Sequence, residues 1–245
     1  MPTPIRRQFI VALVLAGCSA TSDPLPEPMP VPLQSRISRD PPRGTAARMD
    51  RHFTDSILIK DAVIAGKLDD AKAPARRLLQ RTDPYPESWR PFMAANVRLA
   101  GDVLAAEDID AVARAVASLA HTCGDCHAAV VLGARFTPPS PPPAITSRDP
   151  RQRMRRHQWA ADRMWEAMVG HSDVAWTAAA AALADPELAR ADFPPEVDME
   201  GDPTVVARQL QALGARAAES SDWDHRVRVY GQFLATCAVC HEDGR

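Results

Sequence analysis

The chain has 245 residues, 46% of them hydrophobic and 24% charged, with 29 lysines and arginines against 31 acidic residues and a formal charge of −2. Those values exclude a wholly disordered chain and a multispan membrane protein, and they argue against general affinity for nucleic acid. Proline is in excess at 23 residues, nine of them in 1–42 and six in 138–150. Two proline-rich stretches therefore bracket two ordinary segments, 47–136 and 151–245, each small for a self-sufficient core.

Residues 1–17 read as an export signal. Arg6 and Arg7 precede a short apolar run, Phe9 to Leu15, far below the ~18–20 residues that span a bilayer as a helix. Leu15-Ala16-Gly17-Cys18 follows. Basic start, apolar run and L-A-G-C together resemble the lipobox of bacterial lipoproteins. The resemblance implies cleavage before Cys18, lipidation of its thiol, and a place in the bacterial cell envelope with the rest of the chain in the periplasm. An ordinary signal peptide with a chance cysteine gives export without the lipid. In 18–46, Pro24, Pro26, Pro28, Pro30 and Pro32 alternate with other residues, which favours extended polyproline II and suits a tether.

Four helices are expected in 47–136, at 47–65, 69–82, 88–105 and 109–127. Alanine, leucine and arginine dominate them and β-branched runs are absent. Gly66 suits a helix C-terminus, Pro91 a first turn and Asp110 an N-cap. The fourth helix ends in Cys123-Gly124-Asp125-Cys126-His127. After the linker 137–150, with Pro138, Pro139, Pro141, Pro142 and Pro143, the plan repeats in 151–245. At an offset of 114, Asp108-Ile109-Asp110 aligns with Asp222-Trp223-Asp224, Arg114 with Arg228, and Thr122-Cys123 with Thr236-Cys237. Upstream, Met49-Asp50-Arg51-His52 aligns with Met154-Arg155-Arg156-His157 at an offset of 105. About nine extra residues thus belong inside the second copy, expected in 185–203, where Pro186, Pro194, Pro195 and Pro203 interrupt the pattern. Gly170 and Asp224 are expected to end and cap helices as Gly66 and Asp110 do.

The second copy ends in Cys237-Ala238-Val239-Cys240-His241. C-x-x-C-H is the attachment signature of c-type haem. Two thiols three positions apart on one helical turn add to two haem vinyl groups, and the next residue, histidine, reaches the iron. Cys123, Cys126, Cys237 and Cys240 are the candidate attachment points, and His127 and His241 the candidate proximal ligands, for two haems and their iron. Three other uses of such cysteines compete: a disulfide, a thioredoxin-like redox pair and a zinc site. No βαβ context accompanies the pairs, and zinc does not require histidine at the same place after both.

Position separates this chain from the commonest small cytochromes c, which attach haem near the amino terminus and take a methionine from far downstream. Helix count, motif placement at the end of each copy and the residues near each first-helix start resemble instead the cytochrome c prime family. The resemblance implies an all-α fold of two tandem four-helix bundles, each with haem attached to its last helix. In an up-down-up-down bundle the first helix runs antiparallel to the fourth, so its amino-terminal turns lie level with the haem. His52 and His157 are the favoured distal ligands, Met49 and Met154 the alternatives, and an open site lined by these residues the third arrangement.

Other residues are read as structural. His121 is expected to face away from the thiols, and His171 and His225 to be solvated. Arg114 and Arg228 are expected to pair with Asp110 and Asp224 in preference to haem propionates. Trp89, Trp159, Trp165, Trp176 and Trp223 are expected in the core. No serine elbow, H-E-x-x-H or phosphate loop is present. The expected function is electron transfer by a di-haem carrier, not an enzyme, held at the membrane through Cys18 beside redox partner proteins. Binding of NO or CO at an open iron is the alternative, and a haem peroxidase the third.

Overall fold

The computed structural model describes residues 44–82, 85–130, 136, 140–147, 149–189 and 203–242. The signal, Cys18 and the proline-rich tether lie outside the described residues, as does most of the segment expected to hold the extra residues of the second copy. The described residues are helical with no strand: α1 (Thr45–Ile64), α2 (Leu68–Leu79), α3 (Arg90–Ala105), α4 (Ile109–Val130), α5 (Pro150–Gly170), α6 (Asp173–Leu183), a single turn α7 (Pro186–Ala189), α8 (Pro203–Ala218) and α9 (Trp223–Glu242). Among them no helix is long and apolar enough to cross a membrane.

Helix starts follow local chemistry. A 3-10 turn, Glu87–Trp89, leads into α3, whose first turn holds Pro91, where a missing N–H leaves no gap. The caps of α4 and α9 correct the expectation. Asp108 Oδ1 accepts from the Ala111 N–H at 2.6 Å and Asp222 Oδ1 from the His225 N–H at 2.7 Å. Asp110 and Asp224 lie inside the first turns instead, where a negative charge meets the positive end of the helix dipole. Arg114 and Arg228 are exposed, and among the described residues no ion pair joins them to Asp110 or Asp224.

Helix ends hold a second correction. Gly66 is left-handed (φ 67°), and the Lys67 N–H returns to the Ala62 carbonyl at 2.9 Å, a Schellman-type stop. After α5 the left-handed residue is His171 (φ 47°), not Gly170, and the Ser172 N–H returns to the Ala167 carbonyl at 2.9 Å. His171 therefore occupies the place of Gly66, at a conformational cost of ~1–2 kcal/mol for a side chain there.

In the first half α1 packs on α2 and α4, α2 on α3, and α3 on α4; in the second, α5 packs on α6 and α9, α6 on α8, and α8 on α9. The halves meet reciprocally. α4 packs on α9 and α5, while α9 packs on α4 and α1. Trp223, at the start of α9, stacks near His121, late in α4, and Gly231 lies against Ala113, Arg114 and Ala117. The two motif-bearing helices are thus antiparallel. One apolar cluster, including Val63, Leu119, Met164, Trp176 and Phe233, runs through both halves. Burial of such side chains stabilises by about 1.5–3 kcal/mol each.

Polar contacts pin the helices. Asp55, buried on α1, accepts from Arg77 Nε at 2.7 Å and Arg81 Nη2 at 3.1 Å. Lys60, 3% exposed on α1, reaches Asp162 on α5 at 2.5 Å. The stretch between the halves is fastened to α5: Trp159 Nε1 donates to the Ser140 carbonyl at 3.2 Å, and Ile145 packs on the core.

Candidate functional site

The second C-x-x-C-H occupies the last turns of α9, and the structure brings its residues to the first turns of α5. A cavity of about 270 Å³ is lined by Met154, Arg155, His157, Gln158 and Ala161 of α5, by Cys237, Cys240 and His241 of α9, and by Leu210 of α8. Ile64, the last residue of α1, completes the wall from the other half. The volume lies just under the ~300–1,000 Å³ of typical cofactor and ligand pockets. All five residues singled out for this copy, Met154, His157, Cys237, Cys240 and His241, therefore share one space.

His157 is 7% exposed, and its Nε2 is buried without a hydrogen-bond partner. Burial first, then the neighbouring His241 and Arg153, pushes its pKa down to about 4. At neutral pH the ring is uncharged and keeps a lone pair, which a metal ligand requires. His241 is exposed at the mouth, its pKa lowered by desolvation. Cys237 is buried, and burial pushes its thiol up to about 12.

The first motif ends α4. Burial pushes both Cys123 and Cys126 up to about 12, so neither is the activated thiolate of a thioredoxin-like pair. His127 Nδ1 lies 2.9 Å from the Val169 carbonyl near the end of α5. A carbonyl can only accept, so Nδ1 carries the proton and Nε2 keeps the lone pair. That is the orientation by which a backbone carbonyl usually holds a metal-binding histidine. His52 is buried on α1 (7% exposed) and Met49 is half-buried beside it in sequence. α1 packs on α4 as α5 packs on α9.

The motif's own Gly124 lies close against the second half. A Cβ there would stand 2.2 Å from the Met168 carbonyl oxygen and 2.4 Å from His171 Cδ2. The matching residue of the second motif is Ala238, and the residue matching His171 is Gly66. The two ends of the seam carry a glycine facing a histidine at one and the residues Ala238 and Gly66 at the other.

Sequence reasoning missed what His171 joins. It is half-buried, not solvated, and stands with His121 and Asp125 of α4. His121 Nε2 is 3.8 Å from Asp125 Oδ2, and His171 Nε2 is 3.4 Å from Asp125 Oδ1. Trp223 stacks on His171 with ring centroids 4.6 Å apart, and the Arg226 guanidinium lies over the indole 4.3 Å from its centroid. Arg226 is in turn held by Asp173 at 2.5 Å. The signal available in the sequence was that His121 and Asp125 are one helical turn apart. Their counterparts, Ala235 and Val239, are both apolar.

No protein-family model matches the sequence, and no curated protein and no solved structure is significantly similar to it.

Proposed function

We propose that the chain is a di-haem c-type cytochrome that carries electrons in the bacterial cell envelope, built as two tandem four-helix bundles of cytochrome c prime type. Cys123 and Cys126 would attach one haem with His127 as proximal ligand, and Cys237 and Cys240 the other with His241. His52 and His157 would be the distal ligands, and lipid on Cys18 would hold the protein at the membrane near its redox partners.

The observation that carries this reading is the shared cavity of Met154, His157, Cys237, Cys240 and His241. A covalent haem needs two thiols and an imidazole on one side of a pocket, and a low-spin electron carrier adds a second soft or borderline donor. The residues fit that requirement. When bound, c-type haem supplies a one-electron iron couple whose potential depends on its axial ligands and surroundings. The chain's residues then orient and insulate it. Val169 fixes the tautomer of His127, burial keeps His157 neutral, and Ala161, Leu210 and Ile64 provide apolar wall. Were His52 and His157 to complete the ligation as proposed, no position would be left for substrate, which favours electron transfer over catalysis or gas binding.

The test is an absorption spectrum of the exported protein, oxidised and reduced, with and without CO, together with a pyridine haemochrome assay. Two covalent haems per chain and no response to CO are expected. A CO shift would replace this reading with an open iron and gas binding. Absence of covalent haem would overturn it.

A further inference from the structure

The face of α4 opposite the first pair of thiols carries a second constellation. At about 100° per residue, His121 and Asp125 share one stripe of the helix, and Cys123, Cys126 and His127 lie around the far side. The stripe meets His171, which the left-handed cap of α5 turns toward it. One ligand atom from each of His121, Asp125 and His171 can be chosen so that all lie within 4.8 Å of one another.

We infer that His121, Asp125 and His171 form a binding site for a single divalent transition ion of the zinc class, separate from the residues assigned to haem. Two imidazoles and one carboxylate are a donor set such ions take, with a further position left for water. Bonds of ~2.0–2.2 Å in a tetrahedron put ligand atoms about 3.3–3.6 Å apart. The His171–Asp125 separation of 3.4 Å already meets that, and the His121–Asp125 separation of 3.8 Å needs only a small rotation.

Three further observations support it. His171 Nε2, the ring atom nearest Asp125, is buried with no hydrogen bond although the carboxylate is beside it. Such an atom destabilises the fold unless something occupies it. The site is also reachable, since the Asp125 side chain is 40% exposed and the imidazoles 21% and 22%. Finally, the three positions correspond to Ala235, Val239 and Gly66 at the other end of the seam. The donors are therefore confined to one copy and are not a by-product of the repeated haem motif. The inference does not depend on the haem reading.

The experiment is a calorimetric titration of the full exported protein, stripped with chelator, using Zn²⁺ alone. One saturable site is expected, and saturation should raise Tm. His121→Gln and His171→Asn should each weaken binding at least tenfold and abolish the Tm increase. Asparagine tolerates the left-handed backbone, so the second variant keeps the cap. Asp125→Asn, nearly isosteric, tests the carboxylate should either histidine variant fold poorly. His225→Gln, outside the cluster, should bind as the parent does. Absence of a saturable site, or binding unchanged in all three cluster variants, would overturn the inference. A Tm increase that persists in them would overturn it equally.

Discussion

His127 donates from Nδ1 to the carbonyl of Val169, 2.9 Å away across the seam between the two halves. The residue that matches Val169 in the first half is Ile64, and Ile64 lines the cavity beside His241. Each C-x-x-C-H is thus met by the last turn of the opposite half's first helix. The relationship arises because α4 and α9 pack antiparallel, which carries α5 to one motif and α1 to the other.

That close packing has a consequence for glycine. Gly124→Ala is expected to destabilise the protein by about 1–3 kcal/mol, because the new Cβ meets a backbone carbonyl that cannot rotate away. Gly101→Ala, in the interior of α3 with nothing within 4 Å of the added atom, is expected to stabilise by about 0.5–1 kcal/mol. Chemical denaturation of the two variants checks the opposite signs. Equal effects would show that helix propensity, not the seam, governs both positions.

Replacing His157 by alanine should open the second site alone. The expected outcome is conversion of half the haem from low-spin to high-spin with new CO binding, read in the Soret region and by electron paramagnetic resonance. His52→Ala should do the same to the other half, and the double variant to both. A spectrum unchanged by His157→Ala, but altered by Met154→Ala, would transfer the ligand role to methionine.

Glu166 on α5 gives a pH dependence. Burial raises its pKa above the usual carboxylate value, and nearby Asp162 adds to this, although Arg163 and Lys60 oppose it. A carboxyl group with a raised native pKa binds more protons folded than unfolded, so its contribution to stability falls as pH rises through the window above the ordinary glutamate value. Glu166→Gln removes that window. Its stability relative to the parent should therefore increase between pH 4 and pH 7, measured by thermal unfolding across that range. A flat difference would mean that the Arg163 contact offsets the burial.

The geometry of the seam also bears on the redox titration. Trp223 is level with His121 and Gly231 with Arg114, so the second motif lies level with the start of α4, while the first lies near its end. At 1.5 Å per residue the motifs are about 25 Å apart along the helix pair. Two unit charges at that distance interact by only about 0.7 kcal/mol at an effective dielectric near 20, or about 30 mV for one electron. Oxidising one haem should therefore shift the other's potential by no more than tens of millivolts. A shift above 100 mV in a potentiometric titration would place the irons much closer than the motifs.

Much of the helix plan was legible because its signals are local. Gly66, Pro91 and the alanine-rich stretches set the described helices of the first copy to within a few residues of the expected ones. The aspartate caps were misplaced by two residues because Asp108 and Asp110, like Asp222 and Asp224, are equally plausible until the N–H that each accepts from is known. His171 was misread because a sequence alignment paired Gly66 with Gly170. The backbone pairs it with His171, one residue later. Nothing local announces that α4 meets α9, so the seam, the His127–Val169 contact and the third member of the His121–Asp125 pair all required the fold.

A repeated unit is ordinarily free to diverge, since each copy can lose what the other keeps. At Ile64 and Val169 the shared wall limits that freedom. A side chain lengthened at Ile64 intrudes on the cavity at the far end of the other half, and a shift at Val169 loosens a histidine it does not belong to. A change at either residue is therefore felt at the motif of the opposite half, and a defect in one half is read out in the other.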